Sequence, residues 1–288
     1  MEIKNITEEL FKLKQLDENS FQLDMRGAVD SILKSAETHT VNGNNRYSIV
    51  IDCDEVLVNI CDKWLTKASH IPELEQYFTP EVMDTMNACG KLKLYSTIWR
   101  ETYYMLEWLG ITDPDHIKLF NDVYFLDAEF YDDLVPSPFF NSLGSILDVV
   151  ASLDILTMCG DDTTLPCNVS KGRWLHKYFA ELLTNRPDIE FKVHFITEAM
   201  PKGQYLKEKK INFNVYVEDS VKNIVNVVET VEFDNFEILV PLYGYNRKVG
   251  EAIKASSSKL KFRVTGFHNT HDYTQQEVLD AFVPTTEE

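Results

Sequence analysis

The chain has 288 residues, of which 46 are acidic and 28 are basic, so its formal net charge is -18 at pH 7. A charge of this sign repels a phosphate backbone and argues against a protein that binds duplex nucleic acid. Hydrophobic residues make up 44% of the chain, which is enough to fill one large domain or a core with an inserted module. A small phosphorylated substrate is still allowed where positive charge is concentrated locally.

The sequence shows no signal for membrane insertion or export. The first residues lack the apolar stretch of a signal peptide, and no apolar run is long enough to cross a bilayer. The cysteines show no zinc-ribbon spacing and fit free thiols in a reducing compartment. They are Cys53, Cys61, Cys89, Cys159 and Cys167. We therefore expect a cytoplasmic protein without a membrane partner.

Three regions follow from the hydrophobic patterns. Residues 1–45 hold two helical patterns and end in a polar turn, which predicts an N-terminal helical arm packed on the core or on a second subunit of a homo-oligomer. Residues 46–56 and 136–288 alternate strand and helix patterns, which predicts an α/β core with a central parallel sheet. Residues 57–135 are mostly helical and are predicted to form a cap inserted after the first core strand.

The predicted elements can be placed along the chain from these patterns. The helices expected in and around the insertion are Val56–Ala68, Pro80–Cys89, Trp99–Leu109 and Pro114–Leu126. The elements expected after it are a helix at Phe139–Ser152, a strand at Leu153–Thr157, a helix opening at Lys171, strands at Phe191–Ile196, Asn214–Val217, Phe236–Pro241 and Phe262–Thr265, and a helix at Thr274–Phe282.

The first core strand, Tyr47–Ile51, carries the feature on which the functional prediction depends. Its nearly uninterrupted apolar residues predict a strand buried on both faces at the centre of a parallel sheet. Asp52 and Asp54 follow at its carboxyl end, where such sheets keep their chemistry. Residues two apart on a strand point the same way, so these carboxylates would repel each other unless a cation lies between them. Oxygen ligands at an open site favour Mg²⁺.

This stretch resembles motif I of the haloacid dehalogenase (HAD) superfamily, an apolar strand followed by Asp-x-Asp-x-Thr/Val. In that family the first Asp is the nucleophile that becomes an aspartyl-phosphate. The second is a general acid/base that also offers its backbone carbonyl to Mg²⁺. By resemblance, these roles fall on Asp52 and Asp54. The plainer alternative is a strand with two solvated acids at its exit, and the rest of the chain must decide between the two.

Three further stretches resemble the later HAD motifs, in the family's order and each near a strand end. Thr157 ends the strand of motif II, whose hydroxyl holds a phosphoryl oxygen. Lys202 stands where motif III has its lysine, and Lys171 is a second candidate for holding phosphate. Glu218 and Asp219 end the strand of motif IV. The resemblance implies that Asp219 is the second carboxylate ligand of Mg²⁺, with Glu218 as a further ligand or a supporting neighbour.

Within the superfamily the chain looks like the 5′(3′)-deoxyribonucleotidases. Residues 171–179 match a Lys-x-x-Trp-x-x-Lys-Tyr-Phe run that follows motif II in that group, and residues 242–246 match a stretch near the end. Three positions depart from the pattern. Glu55 replaces the usual Gly, Met158 replaces a Ser that helps to hold phosphate, and Ile60 stands about where an aromatic residue packs on the base.

The resemblance implies a HAD Rossmann-like core whose cap closes over the active site and selects the substrate. Trp64 and Trp99 in the insertion could stack on a base, although aromatic residues at helical spacing more often form the core of a cap. The implied function is a Mg²⁺-dependent phosphomonoesterase for a small phosphorylated metabolite, with a (deoxy)nucleoside monophosphate as the first candidate. The alternatives are a binding or regulatory protein on the same scaffold, and a phosphatase for a sugar phosphate or a nucleic-acid 3′-phosphate.

Overall fold

The computed structural model describes residues 22–23, 46–92, 102–246, 248–267 and 269. The predicted N-terminal arm, except for Gln22–Leu23, lies outside these residues, as do Trp99 and the helix predicted at Thr274–Phe282. None of the helices in the described ranges is long and apolar enough to cross a membrane.

A seven-stranded sheet forms the centre of the described structure, and its strands all pair in parallel. The strands are β1 (Gln22–Leu23), β2 (Tyr47–Ile51), β3 (Val150–Met158), β4 (Glu190–Ile196), β5 (Val215–Val217), β6 (Phe236–Pro241) and β7 (Phe262–Phe267). Their order across the sheet is β1-β7-β6-β5-β2-β3-β4. The predicted α/β class, with a Rossmann-like central parallel sheet, is confirmed.

Strand β2 lies at the point where the strand order reverses. It pairs with β3 on one side and with β5 on the other, so the chain builds outward from β2 in both directions. Ile49 and Ile51 are fully buried, as the apolar pattern predicts for a central strand. In open parallel sheets the crevice for a ligand lies beyond the carboxyl ends of the strands at this kind of switch point.

Helices connect the strands. They are α1 (Cys61–Ala68), α2 (Pro80–Leu92), α3 (Met105–Leu109), α4 (Pro114–Phe125), α5 (Pro138–Ser142), α6 (Pro166–Leu182), α7 (Lys202–Glu208), α8 (Val221–Thr230) and α9 (Val249–Ala255). Short 3₁₀ helices lie at Pro72–Tyr77, Leu143–Val149 and Gly244–Asn246. Helix α6 begins five residues before the predicted start, so Lys171 lies in its second turn rather than at its first residue.

The single helix predicted over Phe139–Ser152 is wrong. The chain forms α5, which Ser137 caps by accepting a hydrogen bond from the Phe140 backbone N–H at 3.1 Å, and then a 3₁₀ segment. Strand β3 starts at Val150. Pairing with Tyr47 of β2 draws Val150 and its neighbours into the sheet, and this tertiary contact overrides the local helical pattern.

The described part of residues 57–135 contains helices and no strand. Its helices share an apolar cluster that is distinct from the clusters around the sheet. The buried members are Cys61, Leu65, Ala68, Leu74, Phe78, Met105, Leu109, Ile111 and Phe120. The two ends of the segment meet where Val58 and Pro136 form an antiparallel bridge. Both ends therefore lie close to the carboxyl end of β2, and the helices between them are held over that edge of the sheet.

Candidate active site

The predicted site residues gather at the carboxyl ends of neighbouring strands. Asp52 follows β2, Thr157 lies near the end of β3, and Glu218 and Asp219 follow β5. Because β2 lies between β3 and β5, these parallel strands deliver their last residues to one edge of the sheet. Lys202 is the first residue of α7, the helix after β4.

Asp52, Glu218 and Asp219 form a buried acidic cluster. One carboxylate oxygen of each lies within 4.8 Å of the other two. Burial, reinforced by the Glu218 charge, raises the pKa of Asp52 to about 7. Burial and the charges of Glu218 and Asp52 also raise the pKa of Asp219 well above its ordinary value. A buried set of oxygen donors that repel one another fits the chemistry of a divalent cation such as Mg²⁺.

Lys202 supplies positive charge to this cluster. Its Nζ lies 2.7 Å from Asp52 Oδ1 and 2.7 Å from Glu218 Oε2. Burial by itself would lower the pKa of Lys202, but the two carboxylates hold it above its ordinary value, so the ammonium stays charged. Gly203 permits this placement, because a Cβ there would lie 2.6 Å from the Asn226 backbone oxygen of α8. The close approach of α7 to α8 therefore requires glycine.

Glu218 accepts hydrogen bonds on both of its carboxylate oxygens. Lys202 Nζ and the Tyr216 hydroxyl each donate to Oε2 at 2.7 Å. The Ser220 backbone N–H and Asn223 Nδ2 donate to Oε1 at 3.1 and 3.2 Å. A carboxylate offers about four acceptor positions, and protein donors take up four here. This favours a supporting role for Glu218 beside a metal, rather than direct ligation.

A second charged group forms around Asp54. Lys171 Nζ donates to Asp54 Oδ2 at 2.8 Å, to Thr157 Oγ1 at 3.1 Å and to the Met158 backbone oxygen at 2.9 Å. These acceptors account for the three hydrogens of the ammonium. The Tyr131 hydroxyl donates to the other oxygen, Asp54 Oδ1, at 2.6 Å. Asp54 is thus held from both sides by donors from outside its own loop.

Asp52 and Asp54 share one crevice, although the alternation of side chains along a strand is not the reason. Strand β2 ends at Ile51, so the alternation of side chains along a strand does not govern these two residues. Both line the same cavity, yet each carboxylate pairs with its own lysine, Lys202 for Asp52 and Lys171 for Asp54.

The loop that carries Asp52 and Asp54 contains a left-handed residue. Glu55 has φ 61°, a conformation that suits glycine and costs other residues about 1–2 kcal/mol. Its buried side chain offsets this strain at the start of α1. Glu55 Oε1 accepts hydrogen bonds from the backbone N–H groups of Ile60 and Cys61 at 2.9 and 3.0 Å. The left-handed conformation of this glutamate is therefore accommodated by a charged cap on the first helix of the insertion.

Glu55→Ala is expected to destabilise the protein by about 2–3 kcal/mol, because two backbone donors lose a charged acceptor. Glu55→Gly loses the same cap but relieves the left-handed strain, so it should cost about 1 kcal/mol less than Glu55→Ala. Urea unfolding of both variants measures the difference. Equal stability of wild type and Glu55→Ala would show that the cap contributes nothing.

Several tyrosines that hold the site were not predicted from the sequence. The Tyr245 hydroxyl donates to Asp219 Oδ2, and Asn246 Nδ2 donates to the Asp219 backbone oxygen at 2.9 Å. Residues 242–246 stood out only through their resemblance to a nucleotidase stretch, which assigns them no role. Tyr131 and Tyr216 carry no sequence signal, because one ends the helical insertion and the other lies in an apolar strand.

A cavity of about 330 Å³ opens beside Asp52, Asp54 and Asp219. Its apolar wall includes the aromatic residues Trp64, Tyr103, Phe120, Tyr124, Phe125 and Tyr245. Ile60 and Met158, two of the positions that depart from the nucleotidase pattern, also line it. The site thus joins a charged floor at the sheet edge to an apolar wall supplied mainly by the inserted helices.

Trp64 is already stacked within the protein. Its ring centroid lies 4.5 Å from that of Tyr124 and 5.2 Å from that of Phe120, and its indole N–H donates to the Phe120 backbone oxygen at 2.8 Å. These contacts join α1 to α4. Trp64 therefore packs the two helices together where they meet the cavity.

Comparison with known proteins gives matches among solved structures only. No protein-family model matches the sequence, and no curated protein matches it. Among solved structures, the chain is similar to a haloacid dehalogenase-like family hydrolase from Streptococcus pneumoniae, with 14% sequence identity and a TM-score of 0.46. The likeness covers 83% of this chain and 99% of that chain.

Proposed function

We propose that the protein is a Mg²⁺-dependent phosphomonoesterase of the HAD type that works through an aspartyl-phosphate. The observation that supports this most is the placement of two aspartates in two different environments beside one cavity. Asp52 lies among buried carboxylates with Lys202, whereas Asp54 is held by Lys171 and Tyr131. Carboxylates whose surroundings differ in this way can divide the roles of nucleophile and general acid/base.

The acidic cluster suits a bound Mg²⁺. Asp52 and Asp219 would supply carboxylate ligands, the family resemblance adds the Asp54 backbone carbonyl, and Glu218 would support them from behind. Bound there, Mg²⁺ would neutralise charge on the cluster and on the phosphoryl group.

The protein's own residues would carry the reaction in two steps. An Asp52 carboxylate oxygen attacks phosphorus while the bond from phosphorus to the leaving oxygen breaks, and the protonated Asp54 carboxyl gives its proton to that oxygen. Water then attacks the phosphoryl group, Asp54 takes a proton from it, and the bond to Asp52 breaks. Inorganic phosphate leaves and Asp54 is again protonated.

Two lysines and a threonine of the site have different roles in the proposed reaction. Lys202 contacts Asp52 and is charged, so it offsets negative charge as the phosphoryl group approaches. Lys171 holds Asp54 and Thr157 together at the end of β3. We assign Thr157 and Lys171 to the phosphoryl oxygens, each exchanging one of its present contacts for the substrate.

A (deoxy)nucleoside monophosphate is the substrate class that we propose first. The cavity volume of about 330 Å³ is near the lower end for small-molecule sites. Aromatic walls suit a base, because every base presents a π-face. A cavity of this size beside the phosphoryl position favours one small organic group on the phosphate over a polymer.

The function is tested by phosphate release from a panel of nucleoside monophosphates, sugar phosphates and p-nitrophenyl phosphate, with and without Mg²⁺. Asp52→Asn, prepared in the same way, serves as the blank. Mg²⁺-dependent release that is fastest with a nucleoside monophosphate is expected. A panel with no release above the blank would leave the scaffold as a binding or regulatory protein.

Mg²⁺ is expected to stabilise the protein more at pH 8 than at pH 6. The pKa values of Asp52 and Asp219 are raised in the folded state, so protons occupy the cluster at low pH and compete with the ion. Without metal, these two groups bind more protons folded than unfolded, so their contribution to stability falls as pH rises through about 7. Mg²⁺ offsets that loss by binding the deprotonated cluster.

Melting temperatures at both pH values measure this effect in wild type, Asp219→Asn and Asp148→Asn. Asp219→Asn should lose most of the Mg²⁺ response. Asp148 has a side chain that is 100% exposed, and its variant should respond like wild type. The same Mg²⁺ shift in all three proteins would contradict the metal assignment.

A further inference from the structure

We propose that Tyr131 is a positioning residue for Asp54, so that the end of the inserted segment sets the orientation of the general acid/base. This inference rests on the phosphatase function proposed above. It gives the inserted segment, whose expected role is substrate selection, a role in proton transfer as well.

The contacts of Asp54 carry the inference. Its two carboxylate oxygens are engaged by different elements, Oδ2 by Lys171 Nζ at 2.8 Å and Oδ1 by the Tyr131 hydroxyl at 2.6 Å. A carboxylate held by a donor on each oxygen cannot turn about its Cβ–Cγ bond without breaking one contact. Each oxygen can still accept a second hydrogen bond, so the fixed carboxylate keeps acceptor positions for a proton or a water.

Tyr131 is itself rigidly placed. It is fully buried, and its backbone N–H donates to Ser170 Oγ of α6 at 3.2 Å. Lys171 Nζ lies 5.4 Å from the centroid of the Tyr131 ring, within the range of a cation–π contact. The adjacent Asp132 pairs with Arg173 of α6 at 2.8 Å. Tyr131 and Lys171 therefore both reach Asp54 from the region around the start of α6, because Lys171 lies on this helix and the segment with Tyr131 is bound to it.

The Tyr124 hydroxyl links Tyr131 to the wall of the cavity. The Tyr124 and Tyr131 hydroxyl oxygens lie 2.8 Å apart, and Tyr124 lines the cavity from α4. The orientation of Asp54 thus depends on the placement of α4 through two hydrogen bonds. Loss of the Tyr124 hydroxyl should act in the same direction as loss of the Tyr131 hydroxyl, with a smaller effect.

The test compares two leaving groups in single-turnover reactions of the Mg²⁺-loaded enzyme. Phenolate is a poorer leaving group than p-nitrophenolate, so release of phenol from phenyl phosphate depends more on the proton from Asp54. Tyr131→Phe should slow phenol release by about 10- to 100-fold, a part of the full effect of general acid catalysis. It should slow the release of p-nitrophenolate by less than about threefold, because that step needs little protonation.

Tyr178→Phe is the matched control. The Tyr178 hydroxyl donates to the Leu134 backbone oxygen at 3.4 Å, away from both aspartates, so its loss should leave both rates near those of wild type. Asp54→Asn marks the upper limit of the leaving-group effect. Melting curves show whether each variant is folded.

The outcomes separate this proposal from the function on which it rests. A wild-type enzyme that releases neither product, and no phosphate from the nucleoside monophosphates and sugar phosphates of the panel above, would overturn the phosphatase function itself. An active wild type with equal slowing of both products in Tyr131→Phe, or no slowing, would overturn the positioning role and leave the phosphatase standing. If Tyr131→Phe does not fold, Tyr124→Phe carries the test, and an unchanged ratio of the two rates would overturn the proposal.

Discussion

Asp52→Asn is expected to lower turnover by about 10⁴-fold or more, because the amide cannot form the bond to phosphorus on which the proposed reaction depends. The protein should still fold. The substitution removes one of three buried carboxylates that repel one another, while Lys202 keeps Glu218 at 2.7 Å. Steady-state hydrolysis of p-nitrophenyl phosphate, together with acid-quenched trapping of the phosphoenzyme, measures the loss.

Asp54→Asn is the matched comparison, since it also exchanges an aspartate for asparagine in the same loop. It should lower turnover by about 10²–10⁴-fold through loss of proton transfer. Its phosphorylation by p-nitrophenyl phosphate should survive, giving a burst of p-nitrophenolate followed by slow hydrolysis. Wild-type turnover in Asp52→Asn would remove the aspartyl-phosphate mechanism, and a burst in Asp52→Asn would place the nucleophile elsewhere.

Lys202→Met is expected to destabilise the folded protein by about 3–5 kcal/mol, the range for removing one partner of a buried ion pair. Methionine keeps much of the side-chain volume but leaves Asp52 and Glu218 without the cation that contacts both. The free energy of unfolding, measured by urea titration without Mg²⁺, reports the loss.

Two variants give this prediction its controls. Lys207 lies on the same helix but pairs with Glu232 at the surface, where both side chains are largely exposed. Lys207→Met should therefore change the stability by less than about 1 kcal/mol. Combining Lys202→Met with Glu218→Gln removes the buried charge together with its partner and should recover part of the loss. Equal costs for Lys202→Met and Lys207→Met would show that the buried ammonium is not needed to offset the cluster.

Local patterns in the sequence predicted the central strand, the edge of the sheet that carries the candidate site residues, and the helical insertion. The apolar run of β2 identified a strand buried on both faces, because only a central strand can hide so many consecutive apolar side chains. The order of strands ending in Asp52, Thr157 and Asp219 placed the candidate residues at one edge, because parallel strands share a direction. Periodicity also predicted the helical insertion, since its pattern changes from that of strands to that of helices.

Only the tertiary structure decided which groups pair with which. The sequence by itself does not distinguish Lys171 from Lys202. They reach different aspartates because Lys171 lies in the second turn of α6 and Lys202 lies at the start of α7. Val150 joins β3 through pairing with β2, against its local helical pattern. Tyr131 reaches Asp54, which lies 77 positions away in the chain. Contacts at such separations depend on packing across the whole fold, and no local pattern of residues encodes them.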